Sequence, residues 1–208
     1  MAKEIWKPGN LLNPVPAVML SCARPGEKPN IITVAWTGTV CSEPPMLSVA
    51  IRPDRYSHGI IRETGEFVLN LTSARLVKAA DLCGVRSGRD TDKFREARLT
   101  PGEAPHMNLA PSIAESPVSL ECRVTQILPL GCHDLFLAEI VGVLVDDSLI
   151  EESGRLRLDK ADLTAYMHGR YYRLGEELGT YGYSVRRKPP AKPPAAPKKK
   201  SAPKVRNA

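Results

Sequence analysis

The stretch that decides the fold runs from Asn30 to His58. It reads Asn30-Ile-Ile-Thr-Val-Ala-Trp36-Thr-Gly-Thr-Val-Cys-Ser-Glu-Pro-Pro45, then Met46-Leu-Ser-Val-Ala-Ile-Arg52, then Pro53-Asp-Arg-Tyr-Ser-His58. Two strand-like runs flank the Pro44-Pro45 corner. Proline has no N–H to give to a ladder, so the corner belongs at a strand start or edge. The first run is studded with small and hydroxyl residues, which let a flat ligand lie against backbone. The second run empties into two arginines, a serine and a histidine, a set that suits a phosphate. One segment thus offers both halves of a nucleotide-like site. Each residue also has a plainer reading. Arg52 and Arg55 suit solvated charges after a strand, Ser57 a helix cap, Trp36 ordinary core, and Thr33, Thr37 and Thr39 alternate β-formers.

Outward from this stretch the pattern stays β. Residues 17–22 read as a strand that forms a hairpin with 30–37 across the Arg24-Pro-Gly turn. Residues 46–51 form a third strand. Ser57 is placed as the N-cap of a short helix that Gly65 stops, and Phe67-Val-Leu-Asn-Leu as a further strand. A helix over about 74–83, capped by Thr72 or Ser73 and ended by Gly84, and a short one at Asp92–Arg98 follow. Val118, Leu120, Cys122 and Val124 alternate with polar neighbours, the period of a half-buried strand. Leu135–Val145 is a longer apolar run. Residues 158–167 read as a short helix or loop. Six or more short strands without βαβ alternation or a Gly-x-Gly-x-x-Gly exclude a parallel nucleotide-binding sheet and favour an antiparallel barrel with helical insertions.

The 208 residues allow one domain with extensions, and 42% apolar content suffices for a core. The net charge of +6 belongs to the tail. Nine Lys/Arg and no acids lie between Arg186 and Ala208, leaving 20 basic and 23 acidic residues in the body. The domain is therefore placed at 1–185. Residues 186–208 form a Lys/Pro/Ala-rich tail expected to be disordered, its reach limited to weak electrostatic contact with nucleic acid or an acidic redox partner. The folded body is not expected to bind nucleic acid. No apolar run approaches the roughly 20 residues of a membrane span, and the N-terminus lacks a signal-peptide layout, so a soluble, cytoplasmic protein is expected. The five cysteines, Cys22, Cys41, Cys83, Cys122 and Cys132, show no Cys-x-x-Cys spacing; reduced thiols and no metal site are expected.

Laid out in order, the motifs resemble the flavin reductase-like, FMN-binding split-barrel family, and within it the flavoredoxin subgroup. They are Asn30-x-x-Thr33-Val-Ala-Trp36, Ser42-x-Pro44-Pro45, Arg52-x-x-Arg55-x-Ser57-His58, Gly65-Glu-Phe-Val-Leu-Asn70 and Ser87-Gly-Arg-Asp-x-Asp-Lys93-Phe94. Gly131-x-His133-Asp-Leu-Phe and Tyr171-Tyr172 complete the set, which spans roughly residues 10–185. The resemblance implies a mainly β, antiparallel Greek-key split barrel, a homodimer, and one non-covalent FMN per chain. It implies that Thr33, Val34, Ala35, Trp36 and Thr37 line the isoalloxazine ring, and that Arg52, Arg55, Ser57 and His58 hold phosphate and ribityl. Lys93 and Tyr171 are further cofactor contacts, the latter from either subunit. His133 is the catalytic candidate, to position a pyridine nucleotide or protonate reduced flavin. The implied function is electron relay between redox proteins through bound FMN. The alternative is an NAD(P)H-dependent FMN reductase that supplies reduced flavin to a partner.

Overall fold

In the computed structural model, which describes residues 1–186, the chain is mainly antiparallel β. Strands β1 (Val15–Pro16), β2 (Val18–Cys22), β3 (Asn30–Val34), β4 (Thr37–Ser42) and β5 (Pro45–Ile51) lead into helix α1 (Tyr56–Thr64) and β6 (Glu66–Leu71). Helices α2 (Val77–Val85) and α3 (Lys93–Ala97) follow, then β7 (Pro101–Gly102), β8 (Ser112–Ile113), β9 (Val118–Pro129), β10 (Asp134–Val145), β11 (Thr164–Met167) and β12 (Arg170–Arg173). Seven strands form one sheet in the order β3-β2-β6-β9-β10-β5-β4, and β1, β11 and β12 form a second, smaller one.

The connectivity forces the sheet to curl. Its two edge strands, β3 and β4, are consecutive in the chain and separated only by Ala35 and Trp36. Seven flat strands would hold their edges about 29 Å apart at the usual inter-strand spacing. The two-residue link spans at most about 11 Å. The sheet must therefore roll until its edges meet, yet β3 and β4 do not pair with each other. The Ala50 N–H donates to the Trp36 carbonyl at 2.9 Å, carrying the β4–β5 ladder one residue into the link, while the gap between β3 and β4 stays unpaired. This is the split barrel the sequence led us to expect. Where 30–37 reads as one strand, the chain breaks at Ala35-Trp36 and continues as β4, because the edge changes hands there.

Inside the roll, Leu20, Val49, Ile60, Ile61, Phe67, Cys122, Phe136 and their neighbours make the main core. Burying each large apolar side chain contributes about 1.5–3 kcal/mol. A second core, with Met19, Ile31, Ala80, Cys83 and Phe94, lies under α2 and α3. The loop before β8 is fastened to the sheet by two buried carboxylates. Glu66 accepts the backbone N–H groups of Asn108, Leu109 and Ala110, and Glu121 accepts both the backbone N–H and the Nδ1 of His106.

Three local expectations are corrected. Arg55, not Ser57, is the N-cap of α1, so Ser57 lies inside the first turn; Gly65 ends the helix in the left-handed region as expected. Gly84 lies within α2 rather than ending it. It faces Thr33, and a Cβ added at Gly84 would rest 3.4 Å from the Thr33 Cβ. Over 158–167 the expected short helix is confined to a 3-10 turn at Leu158–Lys160; from Thr164 the chain forms the β11–β12 hairpin instead, in which Ala165 pairs with Tyr172 and Tyr166 with Tyr171. One compact unit covers Met1–Leu174, and Gly175 begins a second. The tail after Arg186 lies outside the described residues. Among those described, no helix is long and apolar enough to cross a membrane, and no cluster of ligating side chains would hold a metal.

All five cysteines are free; Cys22, Cys83 and Cys122 are buried, Cys41 half-buried and Cys132 exposed. Burial pushes the Cys22 and Cys122 thiols up to about 12 and Cys83 to about 11. A thiol must ionise and be reached to react. A disulfide-exchange reagent at neutral pH should therefore label two thiols rapidly in the native protein and all five after denaturation. Fast native labelling of a third would show that a buried site opens.

Candidate functional site

The open seam carries a cleft of about 190 Å³, lined by Ile32, Thr33, Val34, Ala35 and Trp36 on one side and Ala50, Ile51, Arg52, Arg55 and His133 on the other. Fold and cleft have one origin: the residues that carry the chain from edge to edge are the residues that line the gap. Trp36 is 45% exposed, which removes the reading of it as core. Its ring lies against His133, centroids 4.6 Å apart and planes tilted by 40°. The Thr33 hydroxyl is spent on the Ala80 carbonyl at 2.5 Å, so Thr33 offers the cleft its backbone and methyl rather than its hydroxyl. Arg52 sits at the strand end beside Asp54, 3.4 Å away, and stays half-exposed.

A second hollow of about 140 Å³ shares Ile32 and Arg55 with the first. Its wall includes Asn30, Tyr56, Ser57, Arg86, Ser87, Gly88, Arg89 and Lys93. Ser57 is buried and accepts from Asn30 Nδ2 at 2.7 Å. Lys93 is only 3% exposed and donates to the Ile31 and Cys83 carbonyls at 2.7 and 2.8 Å. Burial holds its ammonium below the ordinary lysine value. Among the described residues neither Lys93, Arg55, Arg86 nor Arg89 has a carboxylate partner; the only acid on the wall is Asp54, already beside Arg52. A buried cation without a counter-charge is costly, and such a hollow favours an anion. Gly88 makes the close approach possible, since a Cβ there would fall 2.1 Å from Asn30 Oδ1 and 2.8 Å from Tyr56 Cδ1.

Most of the expected site residues therefore meet. Thr33, Val34, Ala35, Trp36, Arg52, Arg55 and His133 share the cleft, and Arg55, Ser57 and Lys93 the hollow. Three do not. Thr37 bonds the Ser48 carbonyl and lines a neighbouring apolar groove. His58 turns inward, 4% exposed, with Nε2 2.8 Å from Asp134 Oδ2, so it is not presented to either opening. Tyr171 packs on Tyr166 in the small sheet and reaches Asp81, lining neither opening within one chain. Sequence reasoning assigned no role to Asn30, Arg86, Ser87, Gly88 or Arg89. The only available signal was the compact Ser87-Gly-Arg-Asp run, in which a glycine flanked by hydroxyl and guanidinium groups marks a backbone that must come close to something.

The comparisons with known proteins agree with this geometry. The Flavin reductase like domain family matches residues 12–175, and the chain belongs to that family. The flavoredoxin of Desulfovibrio vulgaris (Miyazaki F) superposes with a TM-score of 0.82 at 30% identity, covering 89% of this chain and 100% of that one. The flavoredoxin of Methanosarcina acetivorans gives 0.79 at 27% identity, with the same coverage of 89% and 100%. An uncharacterized protein of Archaeoglobus fulgidus is 38% identical over 122 residues, 59% of this chain and 68% of its own length.

The cleft makes a prediction of its own. Partial burial, and next the positive charge of Arg52, hold the His133 imidazole below its ordinary value. Its protonation, followed by NMR, should show a midpoint below 6.5. Arg52→Ala, which removes the repelling charge, should move that midpoint upward. A midpoint unmoved by the substitution would show that Arg52 does not face the ring.

Proposed function

We propose that the chain is an FMN-binding redox protein of flavoredoxin type, relaying electrons through a non-covalently held FMN. The observation that carries this is the pairing of a flat, backbone-lined cleft with an adjoining hollow of uncompensated buried positive charge, joined through Arg55. The donor set fits FMN. Arg55, with Arg89, Lys93 and Ser57, would face the phosphate, where arginine forks match a phosphate oxygen array. The backbone of Thr33–Trp36 would border the ring's polar edge, with Trp36 and His133 at its exposed side. Bound FMN would supply the capacity to accept and give up electrons; the protein's part is to hold it, orient it and set its potential through donors and charge near the ring.

The alternative is NAD(P)H-dependent reduction of FMN, favoured by one observation: His133 and Trp36 are surface-accessible at the cleft, where a nicotinamide needs room. A second copy of the chain is part of the proposal. The groove of about 470 Å³ beside the cleft is lined by Leu12, Val15, Trp36, Val40 and Leu135, and exposed Trp36 and Val40 form an apolar face suited to the same face of a partner.

The purified protein should bind FMN with a flavin visible spectrum and sediment as a dimer. Under anaerobic conditions a relay protein bleaches with a reduced redox protein or dithionite, whereas a reductase bleaches rapidly with NADH or NADPH. Failure to bind FMN would sink both readings. Arg55→Ala combined with Arg89→Ala should weaken FMN by about 10- to 100-fold, the scale of lost charge-assisted hydrogen bonds, while leaving riboflavin nearly unchanged. Equal losses for the two flavins would show that these arginines do not read phosphate. Gly88→Ala should likewise weaken FMN more than riboflavin, because the added methyl collides with Asn30 at the hollow.

A further inference from the structure

His133 and Asp134 are consecutive, at the head of β10, and face opposite ways. His133 lines the cleft, whereas Asp134 reaches Nε2 of His58 in the first turn of α1. Side-chain exposures of 6% for His58 and 13% for Asp134 take this pair almost wholly out of water. The alternation continues along the strand. Phe136, on the Asp134 side, is fully buried and meets the His58 ring edge-on at 5.2 Å; Leu135, on the His133 side, lines the outer groove. In a strand, a slip of one residue turns every side chain to the other face. Here such a slip would send an imidazole into the core and a carboxylate into the cleft. The β9–β10 turn offers little resistance of its own: Gly131 is left-handed, and the described backbone bond across the turn runs from the Leu130 N–H to the His133 carbonyl. The ladder on β9 is already irregular further along.

We infer that His58 and Asp134 are positioning residues for His133. The ladders on β5 and β9 set the register of the strand head, and the buried hydrogen bond fixes its pitch, so that the imidazole stands against Trp36. The same bond ties that strand to α1, whose N-cap is Arg55, and so holds the two ends of the cleft to one another. The inference deepens the proposed flavin site and rests on it only for what His133 faces; the geometry it invokes exists without a ligand.

The test uses Trp36 as reporter. In a Trp6→Phe background, which removes the exposed second indole, only Trp36 emits. An imidazolium stacked on an indole quenches it, so emission should fall as His133 is protonated, and His133→Ala should abolish that fall. The charged and titratable groups facing the ring, Arg52, Asp54 and the Cys132 thiol at 3.2 Å, are the same in every variant. Asp134→Ala and, from the other side, His58→Leu, which leaves Asp134 no donor, should each lose the acid quench as His133→Ala does. Adding His133→Ala to either should change nothing further, the non-additivity of residues acting as a unit. Asp134→Asn, which keeps an acceptor for His58, should retain the quench. Persistence of the quench in Asp134→Ala and His58→Leu would overturn the inference. So would loss of the folded state in both, since the pair would then hold the fold and not the ring. With FMN bound and NAD(P)H as reductant, the kcat lost in Asp134→Ala should equal that lost in His133→Ala. A wild type that NAD(P)H does not reduce rules against the reductase reading alone, and the fluorescence arm still decides this one.

Discussion

Everything in this molecule depends on the shortness of the Ala35-Trp36 link. Two residues cannot reach across a flat seven-stranded sheet, so the sheet rolls and its edges come together without pairing. A closed barrel would have used those edge groups in a continuous ladder. Here β3 and β4 stay unpaired across the seam, and backbone groups along it remain available to something that is not a strand. The site is thus a by-product of the closure problem. Because the cleft-lining residues are also the link, they cannot be lengthened without relaxing the roll.

Charge is distributed by the same logic. The strand that leaves the seam delivers Arg52, the turn after it delivers Arg55, and α1 delivers Ser57. The segment from Arg86 to Lys93 arrives from the far side of α2 and brings more positive charge to the same hollow. Lys93 is held by two carbonyls, which occupy two of its three N–H donors and leave its charge unbalanced. Hydrogen-bond satisfaction and electrostatic satisfaction are separate requirements, and the unmet part of each points to a ligand.

The sequence revealed the hairpin, the alternating β9, the short helices and the segment carrying the site, because local period and glycine punctuation record those directly. It misplaced what depends on tertiary closure. Nothing in Thr-Gly-Thr-Val-Cys-Ser says that a new strand begins at Thr37; that follows from which edge it must join. His58 looked like a phosphate ligand because it ends a run of polar residues, but the first turn of α1 rotates it toward Asp134. Nothing in the sequence singles out Asp134 as its partner, since a contact 76 positions away leaves no trace in local pattern. Tyr171 belongs to the small sheet and lines neither opening of its own chain, a placement that order along the chain does not record.

The loop before β8 has a property that concerns timing. Three successive backbone amides, at residues 108–110, converge on the Glu66 carboxylate, much as such amides converge on a bound anion; the anion here is supplied by the chain itself from β6. A segment organised around an internal ligand cannot settle before that ligand is in place. Its conformation is therefore acquired after β6 has joined the sheet. The loop is fastened to β6 and β9 by side-chain carboxylates rather than by strand pairing, so its attachment can open without breaking a ladder beneath it.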